Sequence, residues 1–440
     1  MESLGLIDFI VFWLVFALTV IAVVYGNLKK DTDNLLDHLL MGRKLTLPMF
    51  TATLVATWYG GIFGVAEIAF NEGIYNFLTQ GLFWYACYII FAIFILPKLQ
   101  TNKHMTFANL VYSEIGPRAG KWTALLNIGN LLPIAYILSL GKFLELTFGL
   151  DLITSMSLGV LIVLCYSLIG GFRSVVYSDL IQFFVMFTSV VLVFVFCFFK
   201  FGLTPLESLP DHYFSFTGKG GVGETLMWGL IAFGTLVDPN FYQRSFAAGS
   251  RKIARKGIFA ATIIWMIFDL SLTFGAMYAA SLQGSDYFNF SLMTLPFGLK
   301  GFFLAGILAT ILSTLDSYLF LAGATFAHDV LNRKSIDAQR ASVVIIAFVA
   351  LVCSLFSNGS IKAVWSTLGS ISTAALLIPM LFHYFKRNLT ERIFLSSSIA
   401  GVFATILFQF FPTNIQPIYF GVMASLIVIT VMTNLKLNQQ

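Results

Sequence analysis

Charged residues are scarce in this chain. Asp, Glu, Lys and Arg together make up 11% of its 440 residues, whereas a soluble domain contains about 25%. Hydrophobic residues account for 58%, which is more than the core of a water-soluble protein needs. The composition therefore predicts an all-α polytopic membrane protein, with the lipid bilayer as its main partner and little mass outside it.

Cysteine and catalytic motifs are equally sparse. The four cysteines lie in apolar segments without metal-ligand spacing, so we interpret them as packing residues. They are Cys87, Cys165, Cys197 and Cys353. The sequence also contains no phosphate-cradling loop, no metal-ligand cluster and no nucleophile–base pair. We expect neither an enzyme nor an ATP-driven pump, and no cofactor apart from a coupling ion.

Long apolar segments account for most of the chain. Hydropathy predicts about thirteen membrane spans. Their approximate limits are 5–25, 46–70, 75–97, 120–143, 151–169, 174–200, 224–247, 257–282, 299–327, 339–358, 363–386, 392–411 and 415–434. The first apolar run has no basic segment before it and is long enough to span, so we expect no cleavable signal peptide.

The basic residues between the spans predict the orientation. They follow every odd-numbered span from the first to the eleventh: Lys29, Lys30, Arg43, Lys44; Lys98, Lys103, Arg118, Lys121; Arg173; Arg251, Lys252, Arg255, Lys256; Arg333, Lys334, Arg340; Lys386, Arg387, Arg392. Because successive spans alternate, these loops share one side, which the positive-inside rule identifies as the cytoplasm. We therefore predict a plasma (inner) membrane protein with its N-terminus outside and its C-terminus inside. The net charge of +5 lies in these short loops, so we expect no nucleic-acid partner.

Two of the predicted spans contain residues that interrupt a helix. The second span has three glycines within residues 60–64, and the seventh has Gly234 and then Pro239. Irregular backbone inside a membrane is tolerated where it lines a cavity. Broken helices five spans apart match inverted five-helix repeats with a binding site at their interface. We expect one transporter domain over 1–440, with repeats at 45–200 and 222–388 and C-terminal helices at 389–440.

One apolar span carries an unusual group of polar residues near its middle. Ser313, Asp316 and Ser317 share one helix face of the predicted ninth span. Thr310 and Thr314 border that face. A carboxylate at mid-membrane is costly, and buried hydroxyls need partners. Because hard oxygen ligands suit a small hard cation, this face predicts one wall of an ion site in a membrane transporter.

Three motifs are similar to signatures of one transporter family. Residues 166–182 read YSLIGGFRSVVYSDLIQ and resemble the family signature G-G-x-x-[AS]-V-x-x-[TS]-D-x-x-Q. Residues 238–257 read DPNFYQRSFAAGSRKIARKG and resemble a stretch that ends in Q-R and continues with basic and small residues. Residues 309–317 read ATILSTLDS and resemble the small-residue S-[ST]-L segment of the ninth span. In this order, the motifs resemble the sodium/solute symporter family over about residues 5–385.

The resemblance implies the fold of the bacterial leucine transporter, with one extra N-terminal helix and two extra C-terminal helices. It also implies a sodium site between the break in span two and span nine. By position, the ligands would be the carbonyls of Ala52, Val55 and Thr310 and the hydroxyls of Ser313 and Thr314. Together they supply about five neutral oxygens, enough to replace the hydration shell of the ion. Bonding back to helical carbonyls or packing between helices is the alternative role for these hydroxyls.

The resemblance further points to a second site near Asp179, Asp316 and Ser317. Some family members have an additional sodium site formed by an aspartate of the sixth span and two serines of the ninth. Ser317 matches one of these serines, whereas Asp316 replaces the other. Two close carboxylates repel each other unless a cation or a proton neutralises one of them, so a second sodium and a proton both stay open. The structural alternative is that Asp179 caps a helix and pairs with Arg173.

The substrate is expected at mid-membrane, between the predicted spans two, three, four and seven. The candidate contacts are Ala56, Trp58, Tyr59, Gln80, Tyr136, Phe233 and Gly234. Aromatic side chains supply apolar walls with polar tips, and Gln80 would anchor a hydroxyl, amide or carboxylate; the alternative for each is helix packing. We interpret Asp238 and Arg244 as a salt bridge that locks the inner half of span seven. No Arg or Lys falls clearly in the central cavity, which disfavours a strongly anionic substrate.

These features together predict a secondary active transporter that functions as a monomer. It would couple inward sodium movement to uptake of a small organic solute by alternating access. A proton-coupled or uncoupled transporter of the same fold is the mechanistic alternative, favoured if Asp316 has replaced sodium chemistry. A transporter-like bundle that senses a solute and signals through a partner chain is an alternative of another class. Amino acids, sugars, vitamins, small carboxylates, urea-like and quaternary compounds all remain as candidate substrates.

Overall fold

The fold is built from α-helices. The computed structural model describes residues 4–29, 34–100, 103–357, 359–386, 389–411 and 415–437; Lys30 and Arg387, two of the basic loop residues, lie outside these ranges. The helices are α1 Leu6–Leu28, α2 Leu35–Leu40, α3 Leu47–Ala56, α4 Ile62–Glu72, α5 Phe83–Ile90, α6 Phe107–Glu114, α7 Pro117–Leu131, α8 Ile134–Phe148, α9 Leu152–Ser167, α10 Phe172–Phe201, α11 Thr204–Glu207, α12 Gly221–Phe233, α13 Pro239–Ala247, α14 Arg251–Ser281, α15 Tyr287–Thr294, α16 Leu299–Ala324, α17 Ile336–Leu355, α18 Ile361–Lys386, α19 Glu391–Gln409 and α20 Pro417–Leu437. No β-strand occurs within the described ranges.

The all-α membrane architecture is confirmed. Among the described residues, 10 helical segments are long and apolar enough to cross a bilayer. The remaining predicted spans, 46–70, 151–169 and 224–247, contain helices that are shorter or interrupted, such as the 16-residue α9. The total of thirteen spans therefore stays a prediction, as do the limits of the two repeats.

The predicted interruption of the second span is present. α3 ends at Ala56 and α4 begins at Ile62, so the chain leaves the helical path over the intervening residues. Gly60 lies in this break, packed against α16. A Cβ atom there would lie 2.6 Å from the side chain of Thr314, which is closer than carbon atoms approach. The missing side chain therefore lets the break reach the polar face of α16.

The predicted interruption of the seventh span is present as well. A 3-10 turn at Gly234–Val237 separates α12 from α13. Asp238 caps α13, because its Oδ1 accepts hydrogen bonds from the backbone N–H of Asn240 at 2.8 Å and of Phe241 at 3.2 Å. Pro239 occupies the first helical position, where a missing N–H costs nothing. The Asp-Pro pair thus starts the second half of this span.

Two irregularities of the bundle were not predicted. The fourth span bends between α7 and α8 at Pro133, whose ring lacks the N–H that a continuous helix would use. The third span contains π-helical turns at Phe77–Leu82 and Phe91–Ile95. The first of these turns includes Gln80. Since π-helical turns occur frequently at functional sites, the third span is irregular at the place where the sequence predicts a substrate contact.

α16 forms the centre of the bundle. Its most apolar window is 100% buried inside the protein, and α1, α8, α10 and α17 pack against it. Polar residues on this helix therefore face other helices rather than lipid. This enclosure explains how a membrane span accommodates a carboxylate and several hydroxyls.

Candidate ion and substrate sites

The hydroxyls of the predicted sodium site meet the end of α3. Ser313 Oγ donates to the carbonyl of Ala56 at 2.7 Å, and Thr314 Oγ1 lies 3.4 Å from the same oxygen. Each hydroxyl also lies 3.2 Å from the carbonyl of Thr310. All three α16 residues are fully buried. The fold thus brings two hydroxyls and the carbonyls of two helices into one enclosed polar region.

The carbonyl contributed by α3 belongs to a different residue from those predicted. The last carbonyls of a helix lack partners within it. That of Val55 accepts a long hydrogen bond from Trp265 Nε1 at 3.4 Å, whereas that of Ala56 faces α16. Ala52 is buried one turn earlier in α3. Ala56, which the sequence assigned to the substrate, is therefore the α3 residue in contact with the hydroxyls.

This group of oxygens fits sodium as a transported ion. Neutral carbonyl and hydroxyl oxygens are ligands that a hard monovalent cation accepts, and a broken helix supplies carbonyls free of helical bonds. The hydroxyls would have to turn from the Ala56 carbonyl towards the ion. The assignment of sodium to these residues stays a prediction.

The second predicted site contains a buried arginine. Arg244 is fully buried, and its Nη2 donates to the hydroxyls of Thr57 at 2.5 Å and Ser317 at 3.1 Å. Thr53 in turn donates to Asp179 Oδ2, which joins α3 to α10. The two threonines and the arginine were absent from the predicted site. Arg244 therefore places a positive charge where the sequence left room for a second sodium or a proton.

The carboxylates of this cluster are only partly satisfied. Asp179 Oδ1 and Asp316 Oδ1 are buried and have no hydrogen-bond partner among the described residues. Both carboxylates interact electrostatically with Arg244. Two ionised carboxylates and one guanidinium sum to a net charge of −1. One further positive charge would neutralise the cluster, and either a sodium ion or a proton can supply it.

Two expected ion pairs are absent from the described residues, and their members have other partners. Arg173 donates to Asp37 at 2.7 Å, and no ion pair between Arg173 and Asp179 occurs in the described ranges. Asp238 and Arg244 likewise form no ion pair in the part of the chain that the structure describes. The helical path of α13 directs Arg244 towards hydroxyls of α3 and α16, while Asp238 stays at the helix N-terminus.

A cavity of about 120 Å³ lies between the two broken helices. The predicted substrate contacts that line it are Trp58, Tyr59, Gln80, Tyr136 and Gly234. Ala56 and Phe233 do not: Ala56 is buried against α16, and Phe233, 37% exposed, lies outside the lining. The fold thus brings most of the predicted substrate residues to one cavity.

Several lining residues were missed by sequence reasoning. They are Trp84, Trp228, Asp238, Tyr318 and Trp365. The largest omission is α18, which carries Trp365 and forms a whole wall. Residues 366–373 of this helix read STLGSIST, and a run of small and polar residues inside a span is a signal for close helix contacts or a cavity.

Sequence reasoning also missed one buried carboxylate. Asp269 lies in α14 and is fully buried. Its Oδ2 accepts a hydrogen bond from the Tyr85 hydroxyl, whereas Oδ1 has no partner within the described ranges. The available signal was its position inside an apolar span, because ionisable residues there are rarely without function.

Two broken helices, a central polar helix and a cavity between the breaks are features that multi-pass secondary transporters use. The sequence profile of the sodium:solute symporter family matches residues 38–401. The chain belongs to this family. Its members and relatives are transporters, so the chain is a transporter and not an enzyme.

Named relatives cover most of the chain. The high-affinity choline transporter 1 of Drosophila melanogaster is 25% identical over 87% of this chain and 67% of its own length. The high-affinity proline transporter of Bacillus subtilis is 25% identical over 86% of this chain and 87% of its own. The sodium/pantothenate symporter of Haemophilus influenzae is 24% identical over 92% of this chain and 90% of its own length.

Solved structures share the fold. A sodium-coupled sialic acid symporter in its substrate-bound outward-open state has a TM-score of 0.77 at 14% identity, with 98% of both chains covered. A nucleobase-cation-symport-1 family transporter in a closed conformation has a TM-score of 0.61 at 13% identity, covering 90% of this chain and 94% of the other. At these identities the likeness shows the fold alone.

Proposed function

We propose that this protein couples the inward movement of sodium to the uptake of a small organic solute by alternating access. The observation that carries the proposal is the meeting of the Ser313 and Thr314 hydroxyls with the Ala56 carbonyl at the end of α3. An ion bound there holds the mobile half of a broken helix against the enclosed helix α16. Loss of the ion releases that half.

The direction of transport follows from the orientation predicted by the basic loops. With these loops in the cytoplasm, sodium binds from outside, where it is concentrated, and stabilises the form with α3 docked on α16. Substrate binding in the central cavity closes the outer path, and sodium is released to the cytoplasm. The membrane potential adds about 2.3 kcal/mol per charge for each 100 mV. Nothing in this cycle requires a second protomer, so we propose a monomer in the plasma membrane.

The relatives support coupling but do not select a substrate. Their names refer to choline, proline and pantothenate, which are a cation, a zwitterion and an anion. The charge of the solute must therefore be inferred from the cavity of this chain.

Proton coupling is the second candidate, and the Asp179–Asp316 cluster favours it. Each carboxylate has one buried oxygen without a partner among the described residues. A proton shared by these groups would neutralise the cluster as well as a second sodium would. Sodium-independent uptake that is abolished by Asp316→Asn would support a proton as the coupling ion.

Thermal unfolding of the detergent-purified protein in NaCl and in KCl at equal ionic strength tests the proposal. A ligand at about 100 times its dissociation constant stabilises the folded state by about 2.7 kcal/mol. We expect a sodium-specific rise in Tm for the native sequence, and its loss when Ser313→Ala is combined with Thr314→Ala.

The matched control is Ser397→Ala combined with Thr405→Ala. These α19 residues are also fully buried hydroxyls that bond to backbone carbonyls, but they lie outside the candidate sites. The control should keep the sodium-specific shift. Equal Tm values for the native protein in both salts would contradict sodium coupling, and the same scan across pH with Asp179 and Asp316 neutralised would then test the proton.

A further inference from the structure

We infer that the transported solute is a small organic cation, an alkylammonium head held by aromatic rings and one carboxylate in the central cavity. This inference rests on the proposed function, because it names the solute that the sodium-coupled cycle would carry. Three properties of the cavity support it. These are the density of aromatic rings, the negative charge of Asp238, and the lack of positive charge on the other described lining residues.

Aromatic rings dominate the cavity walls. Four of the seven tryptophans of the chain line it, together with three tyrosines. They come from five helices and from the break between α3 and α4, so they surround the space rather than form one packed stripe. Trp58 and Trp84 stand edge to face at 5.1 Å, and Tyr136 and Tyr318 at 4.8 Å.

Such an enclosure suits a cation that cannot donate hydrogen bonds. The faces of Trp and Tyr attract positive charge, and aromatic cages are a known solution for quaternary ammonium groups. A neutral or anionic solute would gain apolar contact from the same rings but no electrostatic attraction. A wall with this many tryptophans therefore selects solutes by their charge as well as by their size.

Asp238 supplies the single carboxylate among the described residues that line the cavity. It retains 8% exposure and lines the space. Its capping hydrogen bonds to Asn240 and Phe241 both use Oδ1. No ion pair to Asp238 is found within the described ranges, although Arg244 attracts it electrostatically without forming such a pair. The negative charge of Asp238 is therefore only partly offset before a cation enters the cavity.

The remaining lining offers little to an anion. None of the described residues that line the cavity is Lys, Arg or His. The N-terminus of α13, which would otherwise attract a carboxylate, is already capped by Asp238. Arg244 is turned away towards Thr57 and Ser317. A solute carboxylate would find uncharged donors in the lining, such as Gln80 Nε2 and Trp228 Nε1, but among the described lining residues it would find no positive charge to offset that of Asp238.

The test compares binding of choline with that of 3,3-dimethylbutanol, its neutral isostere with carbon in place of nitrogen. Glycine betaine, proline and pantothenate complete the panel, and the readout is the thermal shift and the Kd in NaCl and in KCl. We expect choline to bind at least about tenfold more tightly than the neutral isostere, which is the scale of a desolvated cation–π contact. Betaine and proline should bind more weakly than choline, and pantothenate not at all.

Two variants test the residues. Asp238→Asn keeps a good helix cap but removes the charge, and it should weaken choline at least about tenfold while leaving the neutral isostere unchanged. Trp365→Leu should weaken choline severalfold. The matched control is Trp13→Leu on α1, because Trp13 is 51% exposed and remote from the cavity. A cooperative thermal transition near the native Tm, measured without solute, shows that each variant is folded.

The outcomes separate this inference from the proposed function. Equal affinity for choline and its isostere, tighter binding of betaine, proline or pantothenate, or no shift with choline at all would overturn the cation assignment, whatever sodium does. Choline binding of the expected strength with no dependence on sodium would sustain the assignment and overturn sodium coupling. A Kd for choline that is unaffected by Asp238→Asn would remove Asp238 from the site and overturn its proposed role.

Discussion

The guanidinium of Arg244 donates to the hydroxyl of Ser317 at 3.1 Å, one residue after the buried carboxylate of Asp316. This contact links the second half of the broken seventh span to the central helix. The same guanidinium donates to Thr57, which lies at the break in the second span. One fully buried cation therefore holds both broken helices to α16 at the same place.

Removal of this cation should be costly. Arg244→Met leaves Asp179 and Asp316 without a positive charge in a buried setting, and we expect a loss of about 3 kcal/mol or more in the free energy of unfolding. Because part of this loss is charge repulsion, adding Asp316→Asn should restore some stability. Denaturant unfolding of the two single variants and the double variant measures the coupling. Purely additive effects would show that Arg244 does not interact with Asp316.

A lysine bridge should help to close the end of the cavity that lies away from Arg244. Lys362 Nζ of α18 lies 2.7 Å from Glu224 of α12 and 4.0 Å from Glu72 of α4. We expect Lys362→Glu to lower stability by less than about 1 kcal/mol, since the lysine is 37% exposed. The Lys362→Glu substitution should also open the cavity. The measurement is the rate at which a charged thiol reagent modifies Ser372→Cys, a cavity-lining position, in a protein without its native cysteines; we expect a faster rate.

Adding Glu224→Lys to Lys362→Glu should restore the slow rate. In the protein that keeps Lys362 and Glu224, high salt should accelerate modification of the cysteine at position 372, because ions screen exposed charges. Arg340→Gln is the control, as its exposed contact with Asp337 at 3.9 Å lies on α17. An unchanged rate in Lys362→Glu would show that the bridge does not restrict access.

Gly61 should tolerate no larger side chain. A Cβ atom at this position would overlap the indole of Trp365, so Gly61→Ala should push α18 away from the break and cost about 1–3 kcal/mol. Trp365→Leu should relieve most of that cost in the double variant. Gly129→Ala is the matched control, since nothing lies within 4 Å of its added Cβ. Unfolding by heat or denaturant provides the measurement, and equal stability of both glycine variants would contradict the proposed overlap.

Glu114 should make stability depend on pH. The His104 ring, 3.3 Å from Oε1, and the His383 ring, 2.8 Å from Oε2, lower the pKa of this carboxyl from 4.5 to about 2. A depressed pKa stabilises the fold above pH 4.5, and the contribution is lost as the pH falls towards 2. We expect Glu114→Gln to cost about 1–2 kcal/mol at pH 7, because the partly exposed site is screened by water.

That difference between Glu114→Gln and the native protein should shrink as the pH is lowered through 4 and 3. Unfolding in detergent at a series of pH values provides the measurement. Glu207→Gln, at an exposed carboxyl, is the control and should have little effect. A constant difference at all pH values would mean that the glutamate acts through packing rather than charge.

Much of the fold could be predicted because its causes are local. Apolar length predicts the membrane segments, and the Asp238-Pro239 pair and the glycines at 60–64 predict the two interruptions. The polar face of α16 also follows from helical spacing alone. Family resemblance then supplied which helices meet, a long-range relationship that composition does not contain.

The details of the sites depended on contacts between distant elements. Whether Val55 or Ala56 faces α16 is decided by one residue of helical phase, about 100° of rotation, which hydropathy does not fix. The partner of Arg244 depends on how α13 packs against α3. α18 forms a cavity wall because Trp365 packs against Gly61. No periodic pattern in either segment predicts that contact.

The burial of α16 on all sides has a consequence for how the membrane acts on this protein. Since lipid does not reach this helix, bilayer thickness and headgroup charge influence the ion ligands only through its neighbours, of which α1 is the most lipid-facing. Under the proposed cycle, we expect α16 to stay enclosed while the helices around it move. Reagents dissolved in the lipid should label α1 and leave α16 untouched in every conformation.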